Sequence, residues 1–395
     1  MLQAKTIDKR KLLIRATIGS FLFFIFIYIS ITYRLEIGND IRDHANIAKA
    51  ILVGQKNLFS GPFILYGLSI ILSFFSKSLN HIMMAICIIL AAATTLKLII
   101  ATKQVNKIKI FKDRNKNYWI SFAIGLSLMF VFVIPVLYIS NKYFYIGNFV
   151  PNVWHNSTTI LLMPFAILLY IVSIKQIKSY DCTRDIQITI LILLNIFIKP
   201  SFIFVFICIY PLIILLKYRF SKTFFRSLLP LIIGGMTILA QYLLIYKISD
   251  PHLEPSELSG IGIGFFDLYK IKINIGFLPI TLISSYFFPI AYSILNRKKL
   301  INNIVYIYTI LLTSLALLIY AVLFETGPRF LHGNFYWQIV PCSWLLYFIT
   351  IIYLSKDIKQ SGFTLKNKIL TAIYTIHVLF GILYLARIII KHYCF

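Results

Sequence analysis

Acidic side chains are scarce in this chain: 13 Asp and Glu stand against 39 Lys and Arg in 395 residues. The five cysteines (Cys87, Cys182, Cys208, Cys342 and Cys394) show neither metal-ligand spacing nor a pairing pattern, and they read as inert thiols. Charge of either sign reaches only 13% of the residues. What fills the space is apolar: 59% of the chain is hydrophobic and its mean hydropathy is +0.84. Repeated apolar runs of about 20 residues exceed what a soluble core uses. Lipid leaves backbone groups no partner outside a helix or a closed barrel, and the runs are continuous rather than alternating. The expectation is an all-α, polytopic transmembrane helical bundle, with residues 1–395 as a single integral membrane domain.

The net charge of +26 invites a nucleic-acid partner, but the positions of the charges argue against one. Lys and Arg lie in short blocks between the apolar runs, the usual topogenic pattern. The first run, Leu12 to Tyr33, is too long for a signal-peptide core and lacks a small-residue cleavage site, so it reads as an uncleaved first helix.

Eleven spans are expected, at 12–33, 82–102, 118–140, 158–174, 186–198, 202–216, 226–246, 277–295, 302–323, 336–355 and 369–390. The apolar stretch 61–76 opens with Gly61-Pro62 and reads as a juxtamembrane helix rather than a span. That choice places 25 of the 39 basic residues on one side, in blocks 1–15, 103–117, 175–185, 217–226, 296–301 and 356–368. The positive-inside rule makes that side cytoplasmic, with the N-terminus inside and the C-terminus outside in a cell membrane. Segments 34–81, 141–157, 247–276 and 324–335 then form the outer face and hold 8 of the 13 acids. Lys199-Pro200-Ser201 reads as a hairpin turn on that face, because proline disfavours helix at the residue before it.

Every candidate for chemistry falls on the outer face. Asp40, Asp43 and His44 open an amphipathic stretch in which Ile47, Ile51 and Leu52 share one side. Asp43 suits a general base, with Asp40 and His44 as neighbours, although an acid at a helix start also favours the dipole. Pro151-Asn-Val-Trp-His-Asn-Ser-Thr-Thr159 enters a span; Trp154 fits an interfacial belt and Asn156 or Ser157 an N-cap. Neither role accounts for His155, which together with Asn156 is a candidate for binding a sugar. In Glu325-Thr-Gly-Pro-Arg-Phe-Leu-His-Gly-Asn334, the candidates for substrate binding are Arg329, His332 and Asn334. Arg329 suits bidentate phosphate recognition; snorkelling to headgroups is the alternative. Gly260-Ile-Gly-Ile-Gly264 lacks the context of a nucleotide loop and reads as a flexible lid, near Asp250, His252, Glu254 and Glu257. Lys97 and Arg387 have no evident role.

These residues together resemble the GT-C superfamily of membrane glycosyltransferases. The family pattern is a first helix followed by an outer loop with Asp-x-x-x-(Tyr/His), an amphipathic helix and a short juxtamembrane helix. Asp40-Ile-Arg-Asp43-His44, the stretch 47–54 and Gly61-Pro62-Phe63 follow it. Ile198-Lys199-Pro200-Ser201 looks similar to the family's mid-chain turn. The resemblance covers the first 220 residues or so; the family's second acidic residue is replaced by His155-Asn156, and no soluble C-terminal domain follows.

The resemblance implies a polyprenyl-phosphate-linked sugar as donor, a glycan or lipid-linked acceptor, and a role in bacterial surface-polysaccharide synthesis. No metal ligand set is legible, so no cofactor is expected, although a divalent ion is compatible with the chemistry. Asp43 would be the base, and Lys199, Arg329 and His332 would face the leaving phosphate. Two other readings compete. An O-antigen-type polymerase or ligase would carry a large arginine-bearing late loop, whereas 247–276 is modest and has no arginine. A lipid-linked oligosaccharide flippase or transporter would line the mid-membrane with polar or charged residues, whereas the charges here cluster at one face.

Overall fold

The computed structural model describes residues 9–34, 40–58, 61–135, 147–244, 260–271 and 273–391. Its first helix, α1 (Lys9–Arg34), leads to two short helices, α2 (Asp40–Leu52) and α3 (Phe63–Leu72). The chain continues through α4 (Leu79–Asn106), α5 (Arg114–Phe130), α6 (Ser157–Lys178), α7 (Cys182–Ile198), α8 (Ser201–Tyr218) and α9 (Lys222–Leu243). After the short α10 (Asp267–Lys270) come α11 (Leu278–Ser285), α12 (Phe287–Leu295) and α13 (Arg297–Leu300). The last long helices are α14 (Ile304–Val322), α15 (Ile339–Ser361) and α16 (Leu365–Lys391).

Side-chain caps define several starts. Asp113, Asn156, Asp181, Ser221 and Asn303 each accept a backbone N–H from the first turn of α5, α6, α7, α9 and α14. Among the described residues, eight helices are long and apolar enough to cross a membrane, or nine if α11 and α12, bent by 65° at Tyr286, count as one. The other two predicted spans fold as the 17-residue helices α5 and α7, which at 1.5 Å per residue are about 26 Å long. α3, at 10 residues, is too short to span, as its sequence suggested.

The predicted span 118–140 is shorter than expected. α5 ends at Phe130, and residues 131–135 continue without helix. Val131 and Val133 favour extended backbone, and Pro135 disfavours helix at Ile134. This irregular backbone is buried inside protein, where its polar groups find partners. Asn152 Nδ2 donates to the Leu128 and Val131 carbonyls at 3.1 and 2.8 Å, and Trp344 Nε1 donates to Leu128 at 3.0 Å. His377 of α16 donates from Nδ1 to the Phe132 carbonyl at 2.6 Å, and Phe132 N–H donates to the His377 carbonyl at 3.1 Å. Gly381 lets α16 approach this closely, since a methyl there would collide with the Phe130 carbonyl.

The basic blocks gather at one end of the bundle. Lys359 donates to the Ile108 carbonyl (2.6 Å), Lys366 to Asn296 Oδ1 (3.0 Å) and Tyr218 to the Gln176 carbonyl (3.0 Å). Lys299 pairs with Asp357, whose second oxygen accepts from Tyr292 at 2.7 Å. At the other end, Gly260–Gly264 is part of an antiparallel ribbon rather than a free lid. Strand β1 (Ile261–Ile263) pairs with β2 (Leu323–Glu325), Gly262 opposite Phe324. Gly262 lets the Phe324 ring lie across the ribbon, since a methyl at 262 would meet that ring at 2.5 Å and displace it. Asp250, His252, Glu254 and Glu257 lie outside the described residues.

Candidate functional site

The end opposite the basic blocks is organised around the first turn of α6. Asn156 caps it: its Oδ1 accepts from Thr159 N at 3.0 Å and from Thr158 Oγ1 at 3.1 Å. The same oxygen accepts from Lys199 Nζ at 3.1 Å, and Lys199 also donates to Thr158 Oγ1 and Thr159 Oγ1, each at 3.1 Å. Lys199 stands in the α7–α8 turn, held there by Pro200, with extended backbone between the two helices. Its ammonium lies 4.6 Å above the Trp337 ring, and the His155 ring meets that same indole edge-on at 6.2 Å.

The second half of the site comes from α2. Asp40 begins this helix, and its Oδ2 accepts the Ser157 N–H at 2.6 Å. A carboxylate there satisfies a free N–H and the positive end of the α6 dipole together. His44, one turn on, places Nε2 at 3.5 Å from the same oxygen and Nδ1 at 3.1 Å from the Tyr66 hydroxyl of α3. The three short elements α2, α3 and the start of α6 are thus tied by one carboxylate–imidazole–phenol chain.

Burial sets the protonation of this group. It pushes the His155 imidazole down to about 4, so that ring is neutral near pH 7; Asp40 opposes the shift and Lys199 adds to it. Burial also lowers Lys199 to about 7, with the Asp40 charge working against the shift. Lys199 is therefore poised between its charged and neutral forms, and its three oxygen partners are all neutral. Partial desolvation first, and the neighbouring Asp40 second, raise the Asp43 carboxyl above the usual range. Asp43 is exposed on α2.

Of the residues singled out in the sequence, Asp40, His44, His155, Asn156 and Lys199 meet here. Asn334 is engaged elsewhere, donating to Glu325 Oε2 at 2.8 Å. Arg329 and His332 belong to the 3-10 turn Gly327–His332, and their side chains lie outside the described residues. The flanking glycines do adopt left-handed backbone, at φ 69° for Gly327 and 59° for Gly333. Trp154 is not a belt residue: it is buried against Phe24, Tyr28 and Phe130. Its segment turns into the bundle rather than lying on the membrane surface.

Sequence reasoning missed Tyr66, Thr158, Thr159 and Trp337. It also left Lys97 unassigned. Lys97 is buried in α4, donates to Asn152 Oδ1 at 2.5 Å and lies 4.7 Å from the Trp344 ring. It borders a cavity of about 20 Å³ shared with Tyr28, Thr94 and Trp154, enough for about one water. Among the described residues, no group of three or more His, Cys, Asp and Glu is placed to hold a metal ion. The arrangement offers a carboxylate at a helix start and a titratable cation a turn away. No family model matches the chain, and no curated protein is significantly similar to it.

Proposed function

We propose that this chain is an integral membrane glycosyltransferase of GT-C type, moving a sugar from a polyprenyl-phosphate-linked donor to a glycan or lipid-linked acceptor. The observation that carries the reading is convergence. Residues 40 and 44, 155 and 156, and 199, chosen from three separate stretches of sequence, come together on the first turn of α6. The lipid setting supplies the rest: a site at one end of an apolar bundle is suited to a substrate whose tail lies between helices.

In the proposed reaction an acceptor hydroxyl attacks the anomeric carbon of the donor. The new C–O bond forms as the bond from that carbon to the phosphate oxygen breaks, and the electron pair leaves with the phosphate. Lys199 faces that developing charge, with the Thr158 and Thr159 hydroxyls beside it. We assign the hydroxyl proton to Asp40 rather than Asp43, because Asp40 is the carboxylate that the fold holds near Lys199 and His155. His44 and Tyr66 position it. Asp43, exposed with a raised carboxyl, suits a contact to the acceptor.

We further place eleven spans in the membrane, counting α5 and α7 as short ones and α11–α12 as one. The basic end is then cytoplasmic and the α6 start faces outward. A transporter of lipid-linked oligosaccharide is the second reading, favoured by Lys97 buried within α4 and by the break between α11 and α12.

The test is the lipid-linked pool of a deletion strain. Accumulation of a polyprenyl-phosphate monosaccharide, cleared by the wild-type gene and not by Asp40→Asn, is the expected result. A deletion strain with an unchanged lipid-linked pool removes the enzyme reading, and export blocked with transfer intact favours the transporter.

A further inference from the structure

A second cavity lies far from this site, at the basic end. α1, α4 and α5 enclose a groove of about 260 Å³, near the lower edge of the ~300–1,000 Å³ of small-molecule sites. Leu13 and Ala16 of α1 form one wall, and Leu98 and Phe122 form the other. The groove is mostly apolar; Lys103, Asn106 and Tyr118 line one end, and Thr17 and Ser20 add hydroxyls along the α1 wall. An apolar slot with a cationic mouth is the shape complement of a lipid with an anionic headgroup.

Two observations point to a ligand there. Lys103 lines the groove, is exposed, and has no hydrogen-bond or ion-pair partner among the described residues. The second observation is charge. Lys103, Lys107 and Lys175 crowd this end closely enough that, after burial, Lys175 and Lys103 lower the Lys107 amine below its usual value. Among the described residues, Lys107 donates to a neutral acceptor, Gln104 Oε1, at 3.0 Å. Repulsion among these cations is what a bound anion would relieve.

We propose that this groove binds one anionic membrane phospholipid, with an acyl chain against α1 and the headgroup phosphate at Lys103. The inference is independent of the glycosyltransferase reading, since it needs only the membrane-embedded bundle. Its consequence is structural. α1 meets α4 along the groove, so a bound lipid would complete the seam between the first helix and the rest of the bundle.

The test uses the full chain in detergent micelles doped with phosphatidylglycerol or phosphatidylcholine, read by native mass spectrometry. One phosphatidylglycerol should be retained roughly fivefold more strongly than phosphatidylcholine, the scale of one lysine at an anionic surface. Lys103→Gln, at an exposed position, should bring the two lipids to parity. Ala16→Phe should lose both. A phosphatidylglycerol carrying a photoreactive acyl chain should label α1, α4 or α5 in the wild type, and this arm stands even if Ala16→Phe fails to fold. Equal retention of the two lipids by the wild type, an undiminished preference in Lys103→Gln, or labelling confined to other helices would overturn the proposal.

Discussion

The Asp40 carboxylate and the Ser157 backbone N–H lie 2.6 Å apart, although 117 residues separate them in the chain. This contact turns a surface helix and a membrane helix into one site, since α2 has little else to fix its first turn on α6. In the proposed reaction Asp40 has two tasks, closing the α6 terminus and taking the acceptor proton. A substitution that keeps the first and removes the second separates them.

Asp40→Asn is that substitution. The amide oxygen still accepts from Ser157, but it cannot take a proton, so transfer should fall by about 10²-fold or more while the amount of protein in the membrane stays the same. Asp43→Asn should reduce transfer far less. Rates measured on membranes with a polyprenyl-phosphate sugar distinguish the two. If Asp43→Asn is the dead variant and Asp40→Asn the active one, the base lies one turn further out.

Lys199 should make donor binding depend on pH. In the free site its amine titrates at about 7, and phosphate binds the charged form. Affinity should therefore be highest below pH 7 and weaken as pH rises through 7 to 9. Lys199→Arg should flatten that profile, because guanidinium stays charged throughout. Lys199→Met should be weak at every pH, by roughly 10- to 150-fold, the range for a lost hydrogen bond to charge. A wild-type profile flat between pH 6 and 9 would show that the cation does not meet the donor.

Much of this was legible because hydropathy and charge report depth directly. The long helices coincide with continuous apolar runs, and the basic blocks that mark one end in the sequence hold one another there, as Lys359 does the 103–117 block. Backbone conformation within an apolar run was not legible. Hydropathy cannot tell helix from the extended stretch after Phe130, although Val131, Val133 and Pro135 carried the signal. Trp154 misled for the same reason: a tryptophan before a span reads as a belt residue unless its loop is known to turn inward. Tyr66 and Trp337 had no signal to give, since 25 Tyr, 34 Phe and 4 Trp make any one aromatic uninformative. Asp40 was read together with Asp43, and only the position of Ser157 separates them.

Topology is open to thiol labelling at positions that burial leaves accessible. Asn148 lies in the predicted outer segment but is 2% exposed, so a cysteine there would resist any reagent. Lys56, exposed just after α2, reports the predicted outer segment 34–81, and Asn115 at the start of α5 reports the other end. In a background freed of Cys182, Cys208 and Cys394, Lys56→Cys should react with an impermeant maleimide in intact cells. Asn115→Cys should react only after permeabilisation. Reaction at 115 from outside would invert the bundle and place the α6 start in the cytoplasm.

Gly381 offers a stability test of the buried, non-helical stretch after α5. A methyl on it would occupy the space of the Phe130 carbonyl, a backbone atom that cannot swing aside. Gly381→Ala must then push α16 away from α5, weakening the His377–Phe132 hydrogen bonds in the bundle interior. Overpacking of this kind costs about 1–3 kcal/mol. Gly67→Ala on α3 is the control: it adds the same methyl into open space. Thermal unfolding in detergent, followed by tryptophan fluorescence, should place Gly381→Ala several degrees below the wild type and Gly67→Ala level with it. Equal midpoints for all three proteins would mean that α16 does not press on the end of α5, and the packing that carries the α6 segment into the bundle would have to be redrawn.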